Sequence, residues 1–176
     1  MKGILKKMLL IVVLISIHAV VSYSFFNDYF VRNLGQWNGN FQFLAKGNGY
    51  NLLIEDKALC FDYYVIESSN GTTIKHGHNI KFELKNSSLL VSNLLEPSPW
   101  KLSFFYGNNS KKWVTDVQGY KQIRFKNIYP QIDLVLKFEM ENPRYDFVIK
   151  PGGSPEDIII QVSGAYSVST EGATLK

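Results

Sequence analysis

Residues 132–150 read IDLVLKFEMENPRYDFVIK, and apolar and polar side chains alternate on both sides of a central turn. The apolar side chains that share one side are Ile132, Leu134, Leu136, Phe138, Tyr145, Phe147 and Ile149. Alternation with a period of two is typical of half-buried strands. We therefore expect an antiparallel hairpin with its turn near residues 141–143, one face buried and opposite charges paired on the other face.

Outward from this hairpin, short alternating or aromatic-rich runs are separated by turn signals such as Asn48-Gly49 and Asn70-Gly71. No stretch has apolar residues at helical spacing over three turns. The pattern predicts an all-β fold with little helix, an antiparallel β-sandwich of about a dozen short strands.

Three segments lead to more local expectations. The two prolines in residues 96–99 remove donors from a strand ladder, so we expect a connector there. Residues 158–161 are nearly all apolar, which favours a strand covered on both faces. Residues 164–169 look like a strand, 170–172 like a turn, and 173–176 like the start of another strand. Because the chain stops inside that strand, we expect it to be the front of a longer protein.

The first 24 residues have the layout of a secretory signal peptide. Lysines precede an apolar run from Met8 to Val21, and small residues follow at cleavage spacing, Val20-x-Ser22 or Ser22-x-Ser24. The alternative is a membrane anchor, for which the run is short. We expect export through the Sec pathway, a secreted or cell-surface location, a folded domain over residues 25–176, and no stable membrane span after cleavage.

Composition excludes several classes of protein. The first 24 residues hold three of the 19 basic residues and none of the 15 acidic ones, so the remainder is close to neutral. This argues against a nucleic-acid binder, which needs clustered cations. With 45% hydrophobic residues the chain is not disordered. The single cysteine, Cys60, cannot form an internal disulfide, and we expect a buried, inert thiol.

Two groups of polar residues are candidates for a metal site or a catalytic site. His76 and His78 would share one face of a strand, and a zinc site there would need further ligands such as Asp62 or Glu83. The simpler interpretation is a pair of polar loop histidines near the end of a hairpin. We predict no metal and no cofactor.

Asp133 and Asp146 would lie on one face of the 132–150 hairpin, as two carboxylates that cleave a glycosidic bond do. The alternative is structural, since Lys137, Arg144 and Lys150 share that face and can neutralise both acids.

Trp37, Trp100 and Trp113 are each flanked by polar or turn residues. Exposed tryptophans on a sandwich can stack on sugar rings, because they are flat and apolar with a polar edge. They are candidate ligand-binding residues. Core packing or loop anchoring is the alternative role.

Several phrases together resemble a known family. These are residues 30–37 (FVRNLGQW), 105–113 (FYGNNSKKW), 117–125, 128–134 (IYPQIDL), 145–152 (YDFVIKPG), and Gly164 with Gly172. They are similar, in order, to motifs of a bacterial domain of unknown function at the front of exported proteins that carry SBBP β-propeller repeats or type IX secretion sorting tails. The motif residues that we interpret as structural are Asn33, Gly35, Gln36, Tyr129, Pro130, Asp133, Tyr145, Asp146, Pro151 and Gly152.

Two positions depart from the motifs. Gln131 replaces a usual glycine, so we expect the turn before Asp133 to lack a residue with positive φ. Asn109 replaces a usual aspartate. Both changes weaken the idea of a cation site at these positions.

The resemblance implies an all-β leading domain and offers no catalytic residues. Our preferred hypothesis is a non-catalytic module of an exported bacterial protein with a structural or adhesive role. Its partners would be a glycan, another surface protein or downstream domains, and not nucleic acid. The alternatives are a carbohydrate-binding module that uses exposed tryptophans and a glycan-acting hydrolase that uses Asp133 and Asp146.

Overall fold

The computed structural model describes residues 28–69, 72–140, 142–171 and 174–175. The predicted signal peptide lies outside the described residues. In the described part of the chain, no helix is both long and apolar enough to cross a bilayer. The all-β, antiparallel prediction with little helix is confirmed.

The described chain forms twelve strands and two single-turn 3₁₀ helices. The strands are β1 Phe30–Arg32, β2 Phe43–Gly47, β3 Tyr50–Ile54, β4 Ala58–Ser69, β5 Thr72–Leu84, β6 Val91–Phe104, β7 Val114–Tyr129, β8 Ile132–Glu139, β9 Asn142–Ile149, β10 Ile160–Ser163, β11 Thr170–Glu171 and β12 Thr174–Leu175. The 3₁₀ turns are Ser110–Lys112 and Pro155–Asp157. Strands β11 and β12 pair only with each other, and the other ten form one antiparallel sheet.

Strand β7 is the branch point of this sheet. Tyr120 pairs with Phe30 of β1 and also with Pro97 of β6. Further along, Ile123 pairs with β6 again and with Leu136 of β8. A strand has two edges, so β6 occupies one edge of β7, while β1 and β8 follow each other along the other edge. Two branches leave that edge, β1-β2-β3-β4-β5-β10 and β8-β9.

The two branches face each other across the main core, so the sandwich layers are halves of one curled sheet. Phe30 of β1 packs on Phe138 of β8 with ring centroids 4.8 Å apart. The core residues come from both branches, from β7 and from the loop after β5: Phe30, Phe43, Ala45, Leu52, Ile54, Leu59, Leu84, Leu89, Ile123, Phe125, Ile128, Tyr129, Ile132, Leu134 and Leu136. All of these described core residues lie between residues 30 and 136.

The β8–β9 hairpin has the expected register. Leu134 pairs with Phe147 and Leu136 pairs with Tyr145, on the face that meets the core. The turn is tighter than expected, because β9 already begins at Asn142. Alternation therefore predicted both the pairing and the buried face.

The prediction of a connector at residues 96–99 is wrong. They lie inside β6, which is an edge strand, and not in a connector. The register shifts between Pro97 and Lys101, as a bulge requires. The Gln118 side chain donates to the Ser98 carbonyl at 2.8 Å and so supplies a hydrogen bond within the interrupted ladder.

The end of the described chain also differs from the prediction. Strand β10 pairs only with β5 and is an edge strand, and Ile159 just before it is exposed, so this run is not covered on both faces. Residues 164–169 contain no strand, and Thr170–Glu171 lies in β11 where a turn was expected.

The turn between β7 and β8 overturns a third expectation. Gln131 has a φ of 58° although it is not glycine. It follows Pro130, and proline followed by a positive φ is the arrangement of a type II turn. The hairpin forces the conformation, since β7 and β8 pair up to Tyr129 and Ile132 on either side of these two residues.

The far end of the β4–β5 hairpin projects beyond the sheet. The pairing of β3 with β4 ends at Tyr50 and Tyr63. Residues 65–69 and 72–76, which we call the arm, pair only with each other. The described side chains of the arm are exposed on both faces.

Candidate functional site

The loop that follows β1 is built around Asn33. The Asn33 Oδ1 atom accepts hydrogen bonds from the backbone N–H groups of Gly35 (3.1 Å) and Trp37 (3.4 Å). Its Nδ2 atom donates to the carbonyls of Trp37 (3.2 Å) and Phe41 (3.3 Å). One amide thus satisfies four backbone groups, which fixes the path of residues 33–41.

Two further motif residues complete this loop. The buried Gln36 side chain accepts from the Leu34 N–H and donates to the Arg32 carbonyl, each at 2.6 Å. Gly35 has a φ of 103°, which side chains other than glycine rarely adopt. The motif residues Asn33, Gly35 and Gln36 therefore have a structural role, which is to hold the next residue, Trp37, in place.

The Trp37 ring is half-buried and lies between two surface grooves. It meets the edge of Phe104 at a centroid distance of 5.0 Å and stacks on Phe41 at 6.3 Å. It lines both grooves. Trp37 thus packs in part on its neighbours, as the alternative role of loop anchoring requires, and it also borders both grooves.

The first groove, which we call the sheet groove, crosses the outer face of strands β2 to β5 and has a volume of about 450 Å³. Its lining residues are Trp37, Asn38, Phe41, Leu44, Lys46, Asn51, Leu53, Asp62, Tyr64, Ile66 and Lys75. Lys46, Asn51 and Asp62 are direct neighbours on adjacent strands and form a polar row across the floor. Aromatic rings flank this row, with Trp37 and Phe41 towards one end and Tyr64 towards the other.

Hydrogen bonds and charge order the polar row. Asn51 Nδ2 donates to Asp62 Oδ2 at 3.0 Å, and Lys75 Nζ lies 3.7 Å from the same oxygen. Lys75 Nζ also lies 4.1 Å from the centre of the Tyr64 ring. The groove therefore offers fixed donors and acceptors beside aromatic surface, which is the combination that binds hydroxyl-rich rings.

The second groove, the loop groove, has a volume of about 500 Å³ and lies between residues 35–38 and residues 106–112. Trp113 closes the second of these segments, and its Nε1 donates to the Gly107 carbonyl at 3.1 Å. The structure thus brings Trp37 and the Trp113 loop together. Trp100 is elsewhere, on β6 against the edge of Tyr29 at 5.4 Å.

Asp133 lies on the outer face of the β8–β9 hairpin but is fully buried, with 0% of its surface exposed. Arg124 donates to Oδ2 through Nε (2.9 Å) and Nη2 (2.7 Å). Lys150 Nζ (2.6 Å) and the Asn127 N–H (2.9 Å) donate to Oδ1. Burial raises the pKa of Asp133, but these hydrogen bonds outweigh it and bring the pKa to about 2.

Asp146 lies on the same outer face and is also held by cations. Its oxygens accept from Lys137 at 2.9 Å and from Arg144 at 2.7 Å, and Arg144 reaches Glu139 as well at 2.6 Å. The hydrogen bonds from Lys137 and Arg144 lower the pKa of Asp146. Both acids are thus bound to cations as ionised groups, which is the structural alternative that the sequence left open.

Tyr129 and Pro130 lie at the turn of the β7–β8 hairpin, just before Asp133. Tyr129 is buried in the core, and its hydroxyl donates to the Ile159 carbonyl at 3.4 Å. Pro130 begins the turn that Gln131 completes. The Gln131 carbonyl accepts from the Lys150 N–H at 2.9 Å, which ties this turn to the end of β9.

Pro151, Gly152 and Tyr145 belong to β9 or to the turn after it. Residues 151–152 form a turn in which Gly152 has a φ of 92°, and the Gly153 N–H donates to the Lys150 carbonyl at 2.9 Å. Tyr145 is partly exposed and meets the edge of Phe147 at 6.1 Å. These positions shape the hairpin that carries Lys150.

The histidine pair lies within β5 and not in a loop. His76 Nε2 is 3.7 Å from Glu67, and the His78 ring stacks on Tyr166 at 5.7 Å. Strand alternation puts both histidines on one face and puts Asp62 and Glu83 on the other. Among the residues that the structure describes, no three His, Cys, Asp or Glu side chains group as metal ligands would.

Cys60 is buried on β4, as expected. Burial, and then the nearby Glu55 carboxylate, raise the pKa of its thiol. A protonated thiol is a weak nucleophile.

Sequence reasoning missed Asn51, Tyr64 and Lys75 as part of a site. Alternation along residues 58–69 could have placed Asp62 and Tyr64 on one face. Only the register shows that Asn51 and Lys75 join them, and the sequence does not carry that register in a motif.

The family model described as "Domain of unknown function (DUF7948)" matches residues 30–175. This chain belongs to that family. No curated protein and no solved structure matches the chain. In this DUF7948 domain, the match begins at Phe30, which is the first residue of β1, belongs to the main core and lies shortly before the Asn33 loop.

Proposed function

We propose that this DUF7948 domain is a non-catalytic binding module of an exported bacterial protein, with an adhesive or structural role. The observation that carries the proposal is that the polar groups of the domain lie in two different settings. Asp133 and Asp146 are held in ion pairs within one hairpin, whereas rings and hydrogen-bonding groups share an open groove on another face.

Assays of residues 25–176 on glycan and peptide substrates test the non-catalytic part. These residues contain the whole described core, and we expect no turnover. Turnover that disappears in Asp133→Asn or Asp146→Asn, while circular dichroism shows an intact fold, would contradict the proposal and support the hydrolase alternative.

The ligand that the sheet groove suits best is a carbohydrate. In the polar row, Asn51 supplies a planar amide and Asp62 a carboxylate, and such groups pair with adjacent hydroxyls. The Trp37 and Tyr64 rings supply apolar surface for the faces of sugar rings. Trp100 does not line this groove, which distinguishes this proposal from one that uses all three tryptophans.

A glycan array followed by calorimetry tests this ligand. We expect a hit whose affinity falls at least tenfold in Asp62→Asn and in Tyr64→Ala, because each removes a contact worth about 1.4 kcal/mol or more. Trp37→Ala should abolish binding, but it also removes packing on Phe104, so its fold must be checked. Trp100→Ala is the matched control and should bind normally. No hit on the array, or hits unaffected by Asp62→Asn and Tyr64→Ala, would remove the proposal.

We propose a finer placement from the motif resemblance alone: this domain leads a larger protein with SBBP propeller repeats or a type IX sorting tail. The reading frame beyond Lys176 tests it. Propeller repeats or a sorting tail there would support it, and an immediate stop codon would contradict it.

A further inference from the structure

The end of the molecule beside the loop groove carries a group of exposed apolar side chains. They belong to residues 34–37 and 105–113. Residues 35–38 on one side and Tyr106, Gly107 and Lys112 on the other line that groove. The most exposed are Phe105 (60%), Leu34 and Tyr106 (both 54%), and Trp113 (41%). Large exposed apolar groups that lie together mark interaction surfaces more often than isolated ones do.

These rings are braced against the protein. Phe105 meets the Trp113 ring edge to face at 5.2 Å, and Tyr106 stacks on the buried Phe104 at 6.2 Å. The only polar atom of Trp113 is bonded to the Gly107 carbonyl. Leu34 and Phe105 have no polar side-chain atom at all. Apart from the Tyr106 hydroxyl, the four exposed side chains therefore present hydrocarbon, and three of them are aromatic rings held by ring contacts.

The charge around this surface is positive. Lys111 and Lys112 lie exposed in the 3₁₀ turn Ser110–Lys112, and Asn109 caps that turn through its side chain. No acidic residue occurs in residues 29–54 or 97–115, which include both loops. The nearest acid along the second loop, Asp116, faces Lys101 at 4.0 Å.

We propose that this end, consisting of residues 34–37 and 105–113, docks on the surface of an anionic lipid bilayer. Leu34, Phe105 and Trp113 would enter the headgroup boundary, where amphipathic and aromatic side chains are favoured. Lys111 and Lys112 would meet the lipid phosphates. Exposed side chains without hydrogen-bonding groups favour a bilayer over an acidic polysaccharide, which offers mainly hydroxyls and carboxylates.

Cosedimentation of residues 25–176 with lipid vesicles tests this docking surface. The vesicles contain either phosphatidylcholine alone or phosphatidylcholine with phosphatidylglycerol. We expect binding to the second kind only, with a blue shift of tryptophan emission that is lost in Trp113→Phe. Each lysine at an anionic surface contributes about fivefold in affinity, so Lys111→Gln with Lys112→Gln should weaken binding roughly 25-fold.

Matched variants distinguish binding through this surface from nonspecific effects of charge and hydrophobicity. Lys57→Gln with Lys126→Gln removes the same charge from exposed sites elsewhere and should weaken binding far less. Phe105→Ser should reduce binding at least tenfold, whereas Met140→Ser, at a side chain that is 91% exposed on the β8–β9 turn, should not.

Several results would overturn the docking surface. They are no sedimentation with either vesicle, equal sedimentation with both, equal effects of the two lysine pairs, and binding to a soluble acidic polysaccharide but not to vesicles. The sheet-groove variants Asp62→Asn and Tyr64→Ala should leave vesicle binding unchanged. Failure of glycan binding and failure of membrane docking are therefore distinguishable.

Discussion

The β8–β9 and β4–β5 hairpins both contribute residues to the core, but their packing differs towards the turns. Every pair of β8–β9 has one side on the core or in the ion-pair cluster around Asp133 and Asp146. The β4–β5 hairpin does the same only as far as Tyr63, and beyond it Val65, Ile66 and Ile74 are exposed. Folding thus accounts for nearly every residue of the first hairpin, whereas Val65, Ile66 and Ile74 of the second hairpin stay exposed in the described part of the chain.

The largest expected effect compares one apolar residue from each hairpin. Leu134→Ala removes a fully buried side chain and should lower the free energy of unfolding by about 3 kcal/mol. Val65→Ala on the arm should change it by less than about 0.5 kcal/mol. Urea unfolding measures both. Similar losses would mean that the arm is packed in solution and that the two hairpins do not differ as described.

A second comparison concerns the two acids of the β8–β9 hairpin. Asp133→Asn takes the anion away from Arg124 and Lys150 in a buried site and should cost about 3 kcal/mol. Asp146→Asn acts on partly exposed ion pairs and should cost about 1 kcal/mol or less. Equal losses in urea unfolding would show that burial does not set the two acids apart.

The third expected effect is that low pH removes the contribution of Asp133 to the free energy of unfolding. Its folded pKa of about 2 lies below the ordinary 3.8, so the stabilisation is complete above the ordinary value and is lost as the pH falls towards 2. The contribution is roughly 2 kcal/mol. Unfolding free energies of the wild type and Asp133→Asn, measured between about pH 6 and pH 2, should converge by that amount. A constant gap across this range would contradict the low pKa.

The smallest expected effect is a gain. Gln131 holds a positive φ that costs a side-chain-bearing residue about 1 kcal/mol. Gln131→Gly should therefore raise the free energy of unfolding by up to about 1 kcal/mol, with Gln122→Gly, in the middle of β7, as a destabilising control. A loss of stability in Gln131→Gly would mean that the turn is not strained.

The alternation of apolar and polar side chains predicted the features that depend only on the pairing of two neighbouring strands. It gave the register of β8–β9 and the common face of Asp133 and Asp146, because a period of two needs only neighbours along the chain. It failed at residues 96–99, where a side chain from β7, Gln118, compensates for the prolines, and at Gln131, where two paired strands impose the turn. The sheet groove could not be foreseen, since Asn51, Asp62 and Lys75 meet only through the pairing of three strands.

The most direct test of the binding account is an NMR titration of the indole N–H signals in residues 25–176. Trp37, Trp100 and Trp113 provide three reporters, and only Trp37 lines the sheet groove. We predict that a glycan identified on the array shifts the Trp37 signal in a saturable way and leaves Trp100 unchanged. A glycan that shifts Trp100 and not Trp37, or saturable binding that moves no indole signal and no sheet-groove amide, would contradict the account.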